Sequence, residues 1–282
     1  MNIVEDCYNF RIGDIEGLVI KDSSIECDEA KLFAAMTKTE ARRLLEKYGL
    51  FPLRPLDVLC ILIKTRGHSI LVDTGSGMDR RSSSGALVKI LMRERVDLGS
   101  IDTIILTHAH GDHIGGITDN VSNPVFHNAR YVMSRPEWDY WLSSPDLSKL
   151  DKNMQKAALN SIHKNLRSLA GRYELASDGD EVLPGVRVFL SPGHSPGHVT
   201  VEVSSGPDKL VCSGDVVHHP LQITRPAVNT DFDLDPAQAN LSRSQFINKH
   251  ASTNSLVFAC HFPFPGIGHI KTKDRLPFWS PI

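Results

Sequence analysis

The chain has little cysteine, no long apolar run and almost no net charge, and each shortage removes a class of protein. Its five cysteines, Cys7, Cys27, Cys60, Cys212 and Cys260, are odd in number and scattered, with no Cys-x-x-Cys pair among them. A disulfide framework or a thiolate zinc site is therefore not expected. A reducing cytoplasm fits, and each thiol reads as a small buried apolar residue. No apolar stretch approaches the roughly 18 residues that a membrane span needs. Residues 1–14 lack a basic start followed by an apolar stretch, so no secretory leader is expected there. A formal net charge of −2 provides no basic field to hold nucleic acid or an anionic membrane surface. What remains, 41% apolar and 23% charged residues in a chain of 282, is ordinary for a globular protein with one large core or two fused halves. No linker or low-complexity segment interrupts it, so one domain over residues 1–282 is expected.

The apolar pattern supports an α/β fold. Residues 8–24 alternate around Gly13-Asp14 and read as a hairpin, whereas residues 31–48 mix Leu32, Ala35, Met36, Leu44 and Leu45 with charge and read as a helix ending at Gly49. Two later stretches share one design. In residues 57–75 and again in residues 199–215, an apolar strand, a polar turn and a second apolar strand end in a small-residue Asp/Gly turn. This suggests two related halves, each a sheet with helices outside. Between them, residues 124–171 carry Trp138, Tyr140 and Trp141 and a helical stretch from 153 to 169.

The most specific feature follows the short apolar run Ile101-Asp102-Thr103-Ile104-Ile105-Leu106. There Thr107-His108-Ala109-His110-Gly111-Asp112-His113 places three histidines and one aspartate in the pattern His-x-His-x-Asp-His. His108 and His110 project the same way from an extended loop and can share one ion; Asp112 and His113, past the turn, can reach a second. Imidazole with carboxylate favours zinc, with iron, manganese or cobalt as alternatives. Gly115-Gly116 lets the backbone pass close to such a site. Two ions need about seven or eight protein ligands, and further candidates stand at the ends of three later apolar runs: His194 or His198, Asp215 with two oxygens able to bridge, and His261.

With these elements the chain resembles the metallo-β-lactamase-fold hydrolases, from the Val72-Asp73-Thr74-Gly75 turn to His261. The resemblance implies a four-layer αββα sandwich with a dinuclear site along one edge. It implies that His108, His110 and His194 hold one ion and that Asp112, His113 and His261 hold the other, with Asp215 between. His198 and Asp73 would then support the ligands from behind. More narrowly, Tyr140-Trp141-Leu142-Ser143 and His261-Phe262-Pro263-Phe264-Pro265-Gly266-Ile267-Gly268-His269 are similar to the lactonase and methyl-parathion-hydrolase-like branch. The resemblance puts Trp141 on the substrate pocket wall. Trp138 and His269 are weaker pocket candidates. His218 falls where lactonases of that branch carry a substrate-contacting Tyr. Relatives are often homodimers, and residues 31–48 are a candidate contact.

The expected activity is hydrolysis by water activated between two divalent metal ions, zinc first among them, with no nucleophilic Ser or Cys. Asp112 would move the proton, and His218 would donate a hydrogen bond to the carbonyl or leaving oxygen. Lactones such as N-acyl-homoserine lactones are the leading substrate, with phosphotriesters or aryl esters as the alternative. A metal-dependent redox protein is the alternative from another class.

Overall fold

The structure, a computed structural model, describes residues 6–34, 36–77, 85–143, 145–148 and 152–282. Two seven-stranded sheets face each other. The first contains β1 (Cys7–Ile12), β2 (Ile15–Ile25), β3 (Leu56–Thr65), β4 (His68–Val72), β5 (Thr103–Ile105), β6 (Arg130–Ser134) and β7 (Tyr173–Ala176), hydrogen-bonded in that order. The second runs β14-β13-β12-β11-β10-β9-β8, where these are Leu276–Pro281, Ile267–Lys273, Leu256–Phe258, Asp208–Cys212, Val199–Ser205, Val186–Leu190 and Glu181–Leu183. The eight α-helices among the described residues are α1 (Glu29–Leu32), α2 (Lys38–Lys47), α3 (Leu87–Arg93), α4 (Gly111–Ile114), α5 (Arg135–Leu142), α6 (Lys152–Ser168), α7 (Leu221–Thr224) and α8 (Pro236–Ala251).

The layering follows from strand alternation. On β3, Leu59, Ile61 and Ile63 point into the core between the sheets, where they meet Val199, Val201 and Leu210. Their neighbours Cys60 and Leu62 point outward to Leu87 and Ile90 of α3, Trp141 of α5 and Ile162 and Leu166 of α6. On the other sheet, Val211 and Val257 point outward to Phe246 and Ile247 of α8. Strands covered on both faces must be apolar on both, which is why the runs at 57–63 and 210–212 show no alternation. Each aliphatic side chain so buried contributes about 1.5–3 kcal/mol. The result is the four-layer αββα sandwich. No helix of the described residues is long and apolar enough to cross a membrane.

The two similar stretches occupy corresponding places. β3 and β4 form an antiparallel hairpin and β4 then pairs in parallel with β5; β10, β11 and β12 repeat this arrangement. The hairpin at residues 8–24 is β1 and β2, turning at Gly13 with φ +55°. The single helix expected over 31–48 is in fact two. Thr37 restarts the chain: its Oγ1 accepts from Glu40 N (3.3 Å), and Glu40 Oε2 accepts from Thr37 N (2.8 Å), a reciprocal cap that begins α2. Gly49, at φ +68°, ends α2, with Gly49 N donating to Glu46 O and Leu50 N to Leu45 O.

His250, on α8, packs against Phe246 with ring centroids 4.6 Å apart and lies 4.0 Å from Glu202 Oε1. Burial lowers its pKa from 6.5 to about 4, against the pull of Glu202. A pKa lowered by folding means that the unfolded chain binds the proton first. This contribution is therefore whole above about 6.5 and is lost as pH falls to about 4. Urea unfolding at a series of pH values should show His250→Leu flattening the loss of stability in that window by up to about 1.4 kcal/mol per pH unit, one proton's worth. An unchanged slope would mean that His250 titrates normally.

Candidate metal centre

The site forms where strands of both sheets end. β5 gives way to Leu106 and Thr107, and the loop then carries His108 and His110 into α4, whose one turn bears Asp112 and His113. Asp73, just past β4, anchors this loop. Its Oδ1 accepts from Thr107 N (2.8 Å), and its Oδ2 accepts from Thr107 Oγ1 (2.8 Å) and lies 2.8 Å from His113 Nδ1. Asp73 itself holds φ +60°, a conformation that aspartate tolerates better than most residues. The Gly pair behind the motif is required by packing. A Cβ on Gly115 would lie 2.2 Å from Ser76 O, and one on Gly116 2.2 Å from Thr74 O. Without side chains there, Thr74 N reaches His113 O at 2.7 Å.

The second sheet supplies the rest. The loop after β9 brings His194, the turn after β11 brings Asp215, and the turn after β12 brings His261. His108 Nε2, His110 Nδ1 and His194 Nε2 lie 2.9–3.2 Å from one another, and together with Asp215 their donor atoms fall within 4.8 Å. Asp215 is the hub. Its Oδ2 lies 3.2 Å from His194 Nε2, 3.2 Å from His218 Nε2, 3.3 Å from His261 Nε2 and 3.8 Å from His108 Nε2, while its Oδ1 lies 3.2 Å from His113 Nε2. Asp112 Oδ2 stands 3.5 Å from both His113 Nε2 and His261 Nε2. All seven residues named from the sequence therefore converge.

This cluster fits a pair of metal ions. Three ring nitrogens facing one another at hydrogen-bond distance cannot all be satisfied by protons, but they can share one cation. His113 Nε2 is buried with no hydrogen-bond partner although Asp215 is adjacent. Burial, reinforced by His113, drops the His108 pKa well below its usual value, and burial with His194 takes His110 down to about 3. Both rings are thus neutral, the form that binds metal. Burial is the largest influence on His113 and His261 and pulls both down, but Asp215 together with Asp112, and for His113 also Asp73, outweighs it and holds both above the ordinary value. Asp215 would be raised by burial, yet His261 and His113 hold it well below the usual carboxylate range.

Three buried carboxylates and a carbonyl orient the imidazoles, and sequence reading found only Asp73. Asp233 Oδ1 lies 3.2 Å from His194 Nδ1, and Arg243, fully buried, donates to Asp233 Oδ2 at 3.1 Å. His261 Nδ1 sits 2.8 Å from Asp57 O. Glu137 has no exposure and accepts from Ala109 N (3.0 Å), Trp141 Nε1 (2.6 Å), Ser195 Oγ (2.7 Å) and Gly197 N (2.9 Å). It thereby ties the His108–His110 loop to the loop of His194. His198 Nε2 accepts from Asp215 N at 2.8 Å, and Gly214 lacks a Cβ that would come within 2.4 Å of it. Residues 193–197 have the spacing of a Gly-x-Ser-x-Gly nucleophile turn, contrary to the expectation that the chain has none. Ser195 is fully buried with its hydroxyl given to Glu137, so it is no exposed nucleophile.

A cavity of about 640 Å³ opens over the cluster. His110, Asp112, His194, Asp215, His218 and His261 form its floor, and Trp141, Tyr140, Ile25, Leu56, Phe232 and Leu234 belong to its walls. Trp141 meets His110 edge-on at 5.6 Å. His218 is buried and faces the site, with burial lowering its pKa. Two expectations are corrected. Trp138 stacks on Tyr173 at 4.1 Å, and His269, paired with Ser280 across β13 and β14, reaches Ser255 O at 3.0 Å; neither lines this cavity. Trp138 stands on the side of α5 that meets β7, and the pairing of β13 turns His269 away from the site.

The pattern of the Metallo-beta-lactamase superfamily matches residues 53–261, and the chain belongs to that superfamily. The N-acyl homoserine lactonase AiiA of Bacillus thuringiensis subsp. kurstaki is 28% identical over 169 residues, covering 53% of this chain and 59% of the relative. An N-acyl homoserine lactonase of a Bacillus species is 26% identical over 201 residues, covering 64% and 72%. The chain thus spans about three fifths of the length of the first such relatives. Among solved structures, AidC, a dizinc quorum-quenching lactonase bound to a product, superposes with a TM-score of 0.89 at 26% identity over 99% of both chains. AbOPH, a hydrolase of the beta lactamase superfamily, gives 0.89 at 28% identity over 99% of this chain and 98% of that one.

Replacing Glu137 with Ala leaves four buried donors without their acceptor. Each such loss costs about 1–3 kcal/mol, so Glu137→Ala should lower unfolding stability by at least about 3 kcal/mol and reduce metal content measured by elemental analysis. A variant within about 0.5 kcal/mol of the parent would show that water replaces the carboxylate.

Proposed function

We propose that this protein is a dinuclear metal-dependent hydrolase that opens lactones, N-acyl-homoserine lactones foremost, with zinc as its metal. The observation that carries this is the position of the donor cluster: it is the floor of an apolar cavity large enough for a small ring and an acyl chain. The likeness to lactonases in sequence and to a dizinc lactonase in structure supports it. In this reading His108, His110 and His194 would hold one ion and Asp112, His113 and His261 the other, with Asp215 available to either. Bound ions of this kind lower the pKa of a water toward about 7 and polarise a carbonyl.

The chain's own residues do the remainder. Asp112, on the cavity floor and partly exposed, accepts the proton of the attacking water at a carboxylate oxygen and returns it to the ring oxygen as the lactone opens. His218, buried and neutral beside Asp215, donates a ring N–H to the carbonyl or leaving oxygen. Trp141, Phe232, Leu56 and Leu234 exclude bulk water and hold the acyl chain. The element from Phe262 to His269, which motivates the phosphotriester alternative, does not strengthen it. Phe262 packs against Trp279 at 4.9 Å, and Ile267 and Gly268 pair with β12, all in the second sheet and the core it shares with α8.

Metal analysis and a substrate panel on one preparation test the proposal. About two zinc ions per chain are expected, with lactone opening faster than aryl ester or phosphotriester hydrolysis. A phosphotriester preference would reverse the substrate assignment, and iron with oxygen consumption but no hydrolysis would replace the hydrolase reading with a redox one. His218→Phe should keep both ions and lose about 10²-fold in kcat, the cost of one hydrogen-bond donor to a developing oxyanion; unchanged kcat would remove His218 from the mechanism.

A further inference from the structure

Cys260 lies at the metal cluster on the side away from the cavity. Its Sγ is 3.3 Å from Asp215 Oδ1 and 3.4 Å from Gly214 O, and the residue is buried. It is also part of a donor set of its own: His113, Asp215, Cys260 and His261 have ligand atoms within 4.8 Å of one another. Within that set His113 Nε2 is buried, unpartnered and aimed at the same space. Asp112 faces that space from the cavity side, 3.5 Å from the His113 and His261 ring nitrogens. The second metal subsite therefore has a hard oxygen donor at its front and a sulfur donor at its back, with two imidazoles and Asp215 common to both. Among the described residues, none of the other four cysteines belongs to such a set.

We propose that Cys260 is a further ligand of the second metal subsite, so that this subsite offers a thiolate besides Asp112, His113, His261 and Asp215 and selects thiophilic divalent ions. This rests on the two-metal reading above. On coordination the S–H bond breaks, its proton leaves to solvent, and the sulfur lone pair forms the bond to the metal; no oxidant or reductant takes part. Borderline and soft ions such as zinc, cobalt and cadmium are retained through the sulfur, whereas manganese and magnesium, which prefer oxygen, gain nothing from it. The subsite built on His108, His110 and His194 has no sulfur and lacks this preference.

Cobalt(II) reads this directly, because a thiolate bound to it gives a charge-transfer band in the near ultraviolet that nitrogen and oxygen ligands do not. Metal-free full-length protein is loaded with cobalt(II), its cobalt content is measured, and its spectrum is compared with those of Cys260→Ser and Cys260→Ala. Two cobalt ions per chain with the band in the parent and without it in both variants are expected. The variants should also release their second ion to a chelator at least about tenfold more readily and lose their preference for cadmium over manganese. Two bound cobalt ions with no band in the parent, or a band that survives in the variants, overturns the assignment of Cys260 while leaving the dinuclear centre standing. A parent that binds no cobalt overturns both.

Discussion

Five imidazoles and two carboxylates, most of them buried, within a few ångströms of one another are the constraint on which the rest of this molecule depends. Such a cluster is costly to desolvate unless each ring is held in one orientation and each charge has a partner. The ring atoms that face away from the cavity are accordingly taken by acceptors: Asp73 for His113, Asp233 for His194, and the Asp57 carbonyl for His261. Those groups are fixed in turn. Asp73 is tied to Thr107, Asp233 to Arg243, and the Asp57 carboxylate to Phe264 N at 2.8 Å and to Lys21 at 2.5 Å. The centre is thus the innermost of two shells of polar contacts, and the outer shell is what makes the inner one rigid.

The sandwich supplies the rigidity at low cost because the residues that face the site leave the sheets at strand ends. Backbone hydrogen bonds stop there, so side chains can turn toward a common point while the apolar strands behind them stay packed. The similarity of the β3-β4-β5 and β10-β11-β12 arrangements explains why Asp73 and Asp215 occupy comparable turns, one after β4 and one after β11. One sets the first loop and the other stands at the centre of the cluster. Glu137 joins the two halves at the site, since three of its four donors come from the His108–His110 loop and the 195–197 turn.

The same geometry separates polar and apolar duties. His108 and His113 lie behind the cavity floor, and the groups exposed to a substrate are a few donors and carboxylates under aromatic and aliphatic walls. A site of this kind orients a small molecule through few polar contacts and discriminates through shape.

Much of the centre was legible in the residue order. His108, His110, Asp112 and His113 lie so close in sequence that any extended loop followed by one helical turn brings them together, and the strand-end positions of His194, Asp215 and His261 could be located from the apolar runs before them. The two sheets were legible for a similar reason: β propensity and apolar runs are local. What the chain order could not show were contacts joining distant segments, such as Glu137 with Ala109 and Gly197, Asp233 with His194, Asp57 with His261, or Cys260 with Asp215. Nor could it show that Trp138 and His269 turn away while Trp141 and His218 turn in. The sequence by itself determined the donors and the strands that carry them, because those are properties of neighbouring residues. Only the tertiary structure decided which carboxylates orient them, which rings face the cavity and where a sulfur joins the set, because those depend on how two sheets and their outer helices pack.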